Sequence, residues 1–288
     1  MRVMCHSLMP LLFFTMVTSA HAKDESKETS VAELVAQLTQ CESLETCPAV
    51  RALIAAGPRI WPALEVGLKS PDEMVRFWTL GVLSEVPVPA ARAAIGATLK
   101  DNKIRVRAAA AYALGAQGSK EVTSWLLQAL ADEDVNVRFA AAVALMRIKD
   151  PASVPGLIKA CRDRDEEVRA YAVLALGDIG DRRATRAVLE RLDEDLVSRV
   201  RGFAGLALGK LKDPSTFNPL MKHVRTELDP KPLAAIIFAL GALGDVRAID
   251  AIASHKEHPD PEVRAYVVDA LAILKEATKS PVKKPAAR

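Results

Sequence analysis

A repeat of about 31 residues is the feature that most constrains the fold of this 288-residue chain. A Val-Arg pair recurs at spacings of 31, 31, 31, 32 and 63 residues, and the last spacing is two periods around a degenerate copy at Pro232-Leu233. The six pairs are Val75-Arg76, Val106-Arg107, Val137-Arg138, Val168-Arg169, Val200-Arg201 and Val263-Arg264. A fixed period of this length is typical of an architecture in which one structural unit is copied along the chain.

Each unit has the pattern of two helices. Between Val106 and Leu114 the apolar residues fall three and four positions apart, which is the spacing of one helix face. Gly118 then stands where a helix can end in a left-handed residue, and Ser119 can cap the next helix. Because one helical pair cannot bury its apolar face alone, neighbouring units must stack. The sequence therefore predicts an all-α fold, an αα-superhelix of about eight helical pairs over residues 30–276.

The two ends of the chain lack the repeat. Residues 1–22 combine Arg2, an apolar run from Leu8 to Val17 and the small-residue pattern Ala20-His21-Ala22. These features predict a secretory signal peptide cleaved after Ala22, and hence a periplasmic or secreted protein. The apolar run is too short to span a bilayer, so no transmembrane segment is expected. We expect a short linker at residues 23–29 and a disordered basic tail at residues 277–288.

Two further composition features bear on partners and on redox state. The 39 basic and 36 acidic residues nearly balance, which gives no reason to expect a nucleic-acid partner. Cys41 and Cys47 lie six residues apart near the start of the repeat region. In an oxidising compartment they predict a local disulfide, and the alternative is two reduced thiols.

The repeated segments resemble HEAT repeats, most of all the short variety shared with phycobilin lyases and deoxyhypusine hydroxylase. The segments DEDVNVRFAAAVALMRIKD and DEEVRAYAVLALGDIGD carry the resemblance, which extends over about residues 44–275. It implies that the Val-Arg helices line a concave face. It also implies a structural ladder in which each arginine pairs with the acidic residue six positions before it: Asp101–Arg107, Asp132–Arg138, Asp163–Arg169 and Asp195–Arg201.

No pattern of catalytic residues is present in the sequence. Only His223, His255 and His258 follow the predicted cleavage site, and the chain has no His-Glu dipeptide of the kind that holds iron in deoxyhypusine hydroxylase. His255 and His258 could touch one metal ion but lack a clear third ligand, so a solvated helix end is the simpler interpretation. We therefore expect a protein that is not an enzyme, with no cofactor and no metal site.

The candidate binding residues lie two, three and six positions after the repeated valine. They are Phe77, Trp78, Tyr112, Phe139, Val143, Leu174, Leu206 and Phe238, and position three also places Tyr171, Phe203 and Tyr266 on the same helices. Exposed apolar stripes of this kind mark interaction sites, and aromatic anchors dominate interface energy. The alternative is that these side chains are closed against neighbouring units.

The sequence thus favours a non-catalytic scaffold that holds a protein or peptide partner on the concave face of the solenoid outside the cytoplasm. One alternative is an enzyme accessory or chaperone-like protein related to the phycobilin lyases. Another is an envelope-associated structural protein whose basic tail touches anionic surfaces.

Overall fold

The structure, a computed structural model, describes residues 30–43 and 46–279, which form sixteen α-helices and no β-strand. The helices come in eight consecutive pairs. They are α1 (Val31–Gln37) with α2 (Pro48–Ala56), α3 (Trp61–Leu68) with α4 (Glu73–Glu85), α5 (Arg92–Thr98) with α6 (Ile104–Ala116), α7 (Thr123–Ala129) with α8 (Val135–Ile148), α9 (Val154–Ala160) with α10 (Glu166–Ile179), α11 (Thr185–Glu194) with α12 (Ser198–Leu211), α13 (Phe217–Thr226) with α14 (Pro230–Leu243), and α15 (Ile249–Ala253) with α16 (Pro261–Lys279).

The pairs stack in chain order. From α4 to α16 the second helix of each pair packs on the second helix of the next, and each also packs on the first helix of its own pair. One continuous core runs between the two layers, from Val35 to Leu274. The predicted all-α solenoid of about eight pairs is confirmed. Among the described residues, every helix is either too short or too polar to cross a membrane.

Glycines end three of the second helices, as the sequence predicts. Gly118, Gly180 and Gly244 have φ values of +63°, +74° and +72°, which is the left-handed region that glycine enters most easily. The next residue caps the following 3₁₀ turn in each case. The Ser119 side chain, for example, accepts from the main-chain N–H of Glu121.

Small residues let neighbouring second helices approach closely. Gly177 on α10 faces Ala207 on α12 so tightly that a Cβ added to it would lie 2.7 Å from the Ala207 Cα and Cβ. Gly115 meets Ala144 in the same way two units earlier. Gly202 stands on the same layer, but an added Cβ there would meet its nearest atom at 3.7 Å, an ordinary contact. The helix spacing therefore depends on particular glycines rather than on a general excess of small residues.

We expect Gly177→Ala to lower the free energy of unfolding by about 1–3 kcal/mol, because the added methyl group must push two backbones apart. Gly202→Ala should leave it unchanged or raise it by up to about 1 kcal/mol, because alanine is the better helix former and finds room. Urea denaturation of the two variants measures both effects. Equal effects from the two substitutions would contradict this account of the packing.

A disulfide within the first helical pair and a tryptophan from the second pair fix the start of the array. Cys41 and Cys47 are bonded across the connection between α1 and α2, with their Cα atoms 5.2 Å apart. The indole N–H of Trp78 on α4 donates to the Cys41 carbonyl oxygen at 3.1 Å. The start of the array is thus fixed covalently within α1 and α2 and by a hydrogen bond to α4.

The ends of the predicted domain differ from the expected boundaries in one respect. Helix α16 continues to Lys279, so residues 277–279 of the expected tail are helical. The predicted signal peptide, the linker at residues 23–29 and the rest of the tail lie outside the described residues.

Arginine side chains link each unit to the next. Arg107 donates from Nε and Nη2 to the two carboxylate oxygens of Asp132, at 2.9 and 3.0 Å. From Nη1 it donates to the main-chain oxygen of Asp101 at 3.0 Å. The same two-sided arrangement occurs at Arg76 with Asp101, Arg138 with Asp163, Arg169 with Asp195, and Arg201 with Glu227. We call this set of five pairs the arginine ladder.

The pairing implied by the resemblance, Asp101–Arg107 and its equivalents, is therefore wrong as to which carboxylate binds each arginine. The acidic residue six positions before each arginine contributes only its main-chain oxygen, as Asp132 does to Arg138 at 3.0 Å. The side-chain partner stands 25 or 26 positions later, in the next unit. Any residue can supply a main-chain oxygen. The main-chain oxygen of Ser70 therefore accepts from Arg76 just as that of an aspartate would.

The ladder groups are mostly shielded from water and stay charged. The hydrogen bond to Asp132 raises the pKa of Arg107, although burial opposes the change. At Asp101, burial acts to raise the pKa of the carboxyl group, but the bonds from Arg76 and from the Lys103 main chain prevail and lower it. Each pair is thus an ion pair with charge-assisted, bidentate hydrogen bonds.

Replacing Asp132 by alanine should lower the free energy of unfolding by about 3 kcal/mol, because it leaves the Arg107 guanidinium buried without its carboxylate. Glu133→Ala is a matched control: that carboxylate also lies within 3.5 Å of Arg107, but its side chain is 87% exposed. The control should cost less than about 1 kcal/mol, as exposed ion pairs do. Denaturant titration of both variants measures this difference. An Asp132→Ala protein with an unchanged free energy of unfolding would contradict the ladder's role.

Candidate functional site

The second helices from α6 to α14 each carry a half-buried apolar side chain at the same repeat position, and together these side chains form a row. Six positions after the repeated valine, this row holds Tyr112, Val143, Leu174, Leu206 and Phe238, all half-buried. Phe77 and Phe139, from position two, are half-buried as well. Phe77, Tyr112 and Phe139 pack against the core, and all of these side chains keep part of their surface in solvent. We call the row from Tyr112 to Phe238, together with its aromatic neighbours Phe139, Tyr171 and Phe203, the apolar face.

Trp78 does not belong to this face. It is 5% exposed and is covered by the segment after α1, where its indole binds the Cys41 carbonyl group. The first units pack differently from the later ones, so position three is enclosed here, while Tyr171, Phe203 and Tyr266 stay half-buried. The placement of Trp78 in the candidate set is corrected accordingly.

Aromatic rings connect the units along the face. The Phe139 ring contacts Tyr112 of the preceding unit and Tyr171 of the following unit edge to face, with centroids 6.4 and 5.0 Å apart. Phe238 and Tyr266 make a similar contact at 6.1 Å. Such edge-to-face pairs hold ring orientations beyond what burial alone provides. The middle of the face is therefore a continuous surface across three units rather than a set of isolated side chains.

Charged residues flank the apolar face where the helices end. Arg147, Asp178 and Lys210 each follow a residue of the apolar row by four positions, which places them on the same side of their helices. The Asp178 carboxylate binds Lys210 Nζ at 2.5 Å and Lys149 Nζ at 3.2 Å. Burial acts to raise the pKa of Asp178, but these two bonds outweigh it, and the pKa is lowered. The repeat register, read four positions beyond the apolar row, would have identified this edge from the sequence.

The three histidines that the structure describes are engaged in hydrogen bonds, two of them to the preceding unit. His255 Nε2 lies 2.9 Å from the Val224 carbonyl oxygen, and His258 Nδ1 accepts from the Asp260 main chain at 3.1 Å. His223 Nε2 lies 2.5 Å from an Asp193 carboxylate oxygen. Within residues 30–43 and 46–279, no three histidine, cysteine or acidic side chains come together as a metal site would require.

Similar solved structures share the helical architecture. The YibA protein of Escherichia coli is 21% identical, with 89% of this chain and 99% of that chain covered and a TM-score of 0.64. An engineered protein is 23% identical, with 85% and 78% covered and a TM-score of 0.54. The complex of CpcE and CpcF of phycocyanin lyase from Nostoc is 27% identical, with 74% and 94% covered and a TM-score of 0.48. At these levels the first two show a common fold, and the third adds no argument about function.

A family model supplies the classification. No curated protein matches the sequence significantly. The model for HEAT repeats matches three times, at residues 93–166, 154–232 and 218–286, which together cover more than half of the chain. These matches fall on the stacked helical pairs from α5 to α16. The chain belongs to the HEAT-repeat family.

Proposed function

We propose that this protein is a non-catalytic scaffold that binds a protein or peptide segment on the apolar face. The observation that carries the proposal is the row Tyr112, Val143, Leu174, Leu206 and Phe238, which keeps a solvent-accessible apolar edge over five consecutive units. The closest contacts between stacked helices are made by small residues such as Gly177 with Ala207, although the Phe238 ring also packs on Gly209 of the preceding unit. Because the row keeps solvent-accessible apolar surface beyond what these contacts use, we take binding of a partner as the better explanation for it.

The non-catalytic part of the proposal rests on the lack of convergent reactive groups on the described surface. His223 and His255 are engaged in hydrogen bonds to the preceding unit, and Cys161 is buried in the core, where desolvation raises its thiol pKa to about 12. A thiol with this pKa is almost entirely protonated at neutral pH and is a poor nucleophile. The apolar face instead provides a shaped surface with aromatic ring edges and flanking charges, which are features suited to binding.

We further propose that the protein acts outside the cytoplasm. The signal-like residues 1–22 and the Cys41–Cys47 pair support this together, because disulfides persist in oxidising compartments. Protein recovered from the envelope or medium of its own cells should begin at Lys23 and carry no free thiol at Cys41 or Cys47. Amino-terminal sequencing and thiol-specific mass spectrometry measure both features. A cytoplasmic protein that keeps Met1 would contradict export.

Substitutions on the apolar face should abolish partner capture without unfolding the array. Glutamine at positions 174 and 206 keeps helix propensity and side-chain length while removing apolar surface, so the double variant L174Q/L206Q should retain about one tenth of the captured partner. Val66→Gln is the matched control, because Val66 is 69% exposed on α3, away from the face. The measurement is affinity capture from the envelope fraction with quantitative mass spectrometry, together with melting temperatures.

Partners that bind the wild type, the control and the double variant equally would contradict the proposed face. A chromophore or other cofactor that copurifies with the captured partner would favour the accessory role related to the lyases over a simple scaffold.

A further inference from the structure

One edge of the apolar face is strongly basic. Helices α8 and α12 end in Arg147, Lys149, Lys210 and Lys212, and all four side chains are exposed. The Asp178 carboxylate of the intervening helix α10 is shared by Lys149 and Lys210, so one carboxylate stands among four cationic groups. We call Arg147, Lys149, Lys210 and Lys212 the basic edge.

The other nearby carboxylates are directed to the first-helix layer. Asp150 follows Lys149, but it caps a 3₁₀ turn and accepts from the Thr123 hydroxyl group of α7 at 2.8 Å. Asp213 follows Lys212 and accepts in the same way from Thr185 of α11 at 2.8 Å. Arg182 adds a further cation, because its Nη2 donates to the Lys212 carbonyl oxygen at 2.7 Å. Both aspartates reduce the net charge beside the basic edge, but their side-chain hydrogen bonds go to threonine hydroxyl groups, while Lys149 and Lys210 bind Asp178.

Two of the lysines occupy an unfavourable backbone conformation. Lys149 and Lys212 have φ values of +53° and +46° at the position where three other units have glycine. A residue with a side chain is disfavoured in this left-handed region, and glycine enters it freely. A cation at a helix C-terminus interacts favourably with the helix dipole, but Arg147 and Lys210 already provide this charge from within the last turn. Departures of this kind from the favoured backbone concentrate at functional sites.

The opposite edge of the same three helices carries no such excess. The residues before the repeated valine are Asn136, Glu167 and Arg199, and Glu167 forms an ion pair with Arg199. The charge asymmetry is therefore a property of one edge rather than of the whole surface. A bound segment would meet apolar side chains in the middle and cations along the helix ends.

We propose that the segment bound on the apolar face is acidic, with Asp or Glu side chains beside its apolar anchors, and that the basic edge binds these carboxylates. The inference rests on the proposed function, because it specifies the partner of the same face. Charges at the rim of an interface act mainly on association and on the choice of partner, and salt weakens them. The apolar anchors contribute the affinity that acidic and neutral segments share, and the basic edge contributes the preference for acidic segments.

The test uses fluorescence anisotropy with the full chain and three labelled synthetic peptides. The first alternates Leu and Phe with Asp, the second replaces each Asp by Asn, and the third keeps Asp but replaces Leu and Phe by Gly. The Asp/Leu/Phe peptide should bind about tenfold more tightly than the Asn peptide at low salt, with a gap that shrinks as salt rises. The Asp/Gly peptide should bind more weakly than both.

The decisive variant is K149G/K212G. It should lose most of the preference for the Asp peptide over the Asn peptide, because only Arg147 and Lys210 of the basic edge remain. Its melting temperature should stay unchanged or rise because glycine fits the left-handed positions. A purely structural role for the lysines would instead lower the melting temperature. K120Q/K159Q removes the same charge from exposed lysines of the first-helix layer and should keep the preference for the Asp peptide.

The remaining outcomes separate the inference from the proposed function. If wild-type protein binds the Asp and Asn peptides equally, and L174Q/L206Q weakens both, the inference is overturned and the apolar face stands. If the Asp/Gly peptide binds as tightly as the Asp/Leu/Phe peptide, the basic edge is a general polyanion site, and the inference fails. If neither apolar peptide binds the wild type, the proposed function is overturned together with the inference.

Discussion

The arginine that links each unit to the next is the interaction on which the rest of the structure depends. One edge of its planar guanidinium group binds the main chain of its own turn, and the other binds a carboxylate of the following unit. Because this geometry is bidentate on a rigid plane, it fixes orientation as well as distance. Five such links run from Arg76 to Glu227, and all are largely shielded from water. Because the links are buried, losing one partner would leave an unpaired charge away from water. This cost keeps the units in one register.

The close stacking that the ladder fixes has a consequence for the surface. Second helices make their closest contacts through alanine and glycine, as Gly115 meets Ala144, so the columns at these contacts must stay small. Larger side chains pack beside these columns, as Phe238 does on Gly209. The residues of the apolar row from Tyr112 to Phe238 are half-buried. The composition of this row changes from unit to unit, whereas the closest stacking contacts keep small residues.

Charge on this surface is distributed by the same repeat. Where α8 and α12 end, cations gain from the helix dipole and lie next to the apolar row. In the units with Gly118, Gly180 or Gly244 the left-handed residue is uncharged, and in those with Lys149 or Lys212 it carries a positive charge. The difference between these units is the kind of variation that gives a repetitive scaffold a local preference among partners.

Most of the architecture was predictable because period and helix spacing are local properties of the sequence. The 31-residue register predicts the number of pairs, and the left-handed glycines mark where helices end. Glu227 was missed as the partner of Arg201 because its unit has Pro232-Leu233 in place of Val-Arg, although the register still puts Glu227 six positions before Leu233. The carboxylate partners of Arg107, Arg138 and Arg169 were misassigned as well, because spacing within a unit shows which residues are near in the chain and not which unit an arginine reaches.

The sequence by itself determined that this chain is a stack of helical pairs and which columns carry arginine, glycine or large apolar residues. Only the tertiary structure decided that Trp78 is enclosed, that Phe139 contacts the rings of two neighbouring units, and that Asp178 is shared by two lysines. These facts depend on the distance and rotation between units, which arise from long-range packing and are not encoded in the spacing of residues along one helix.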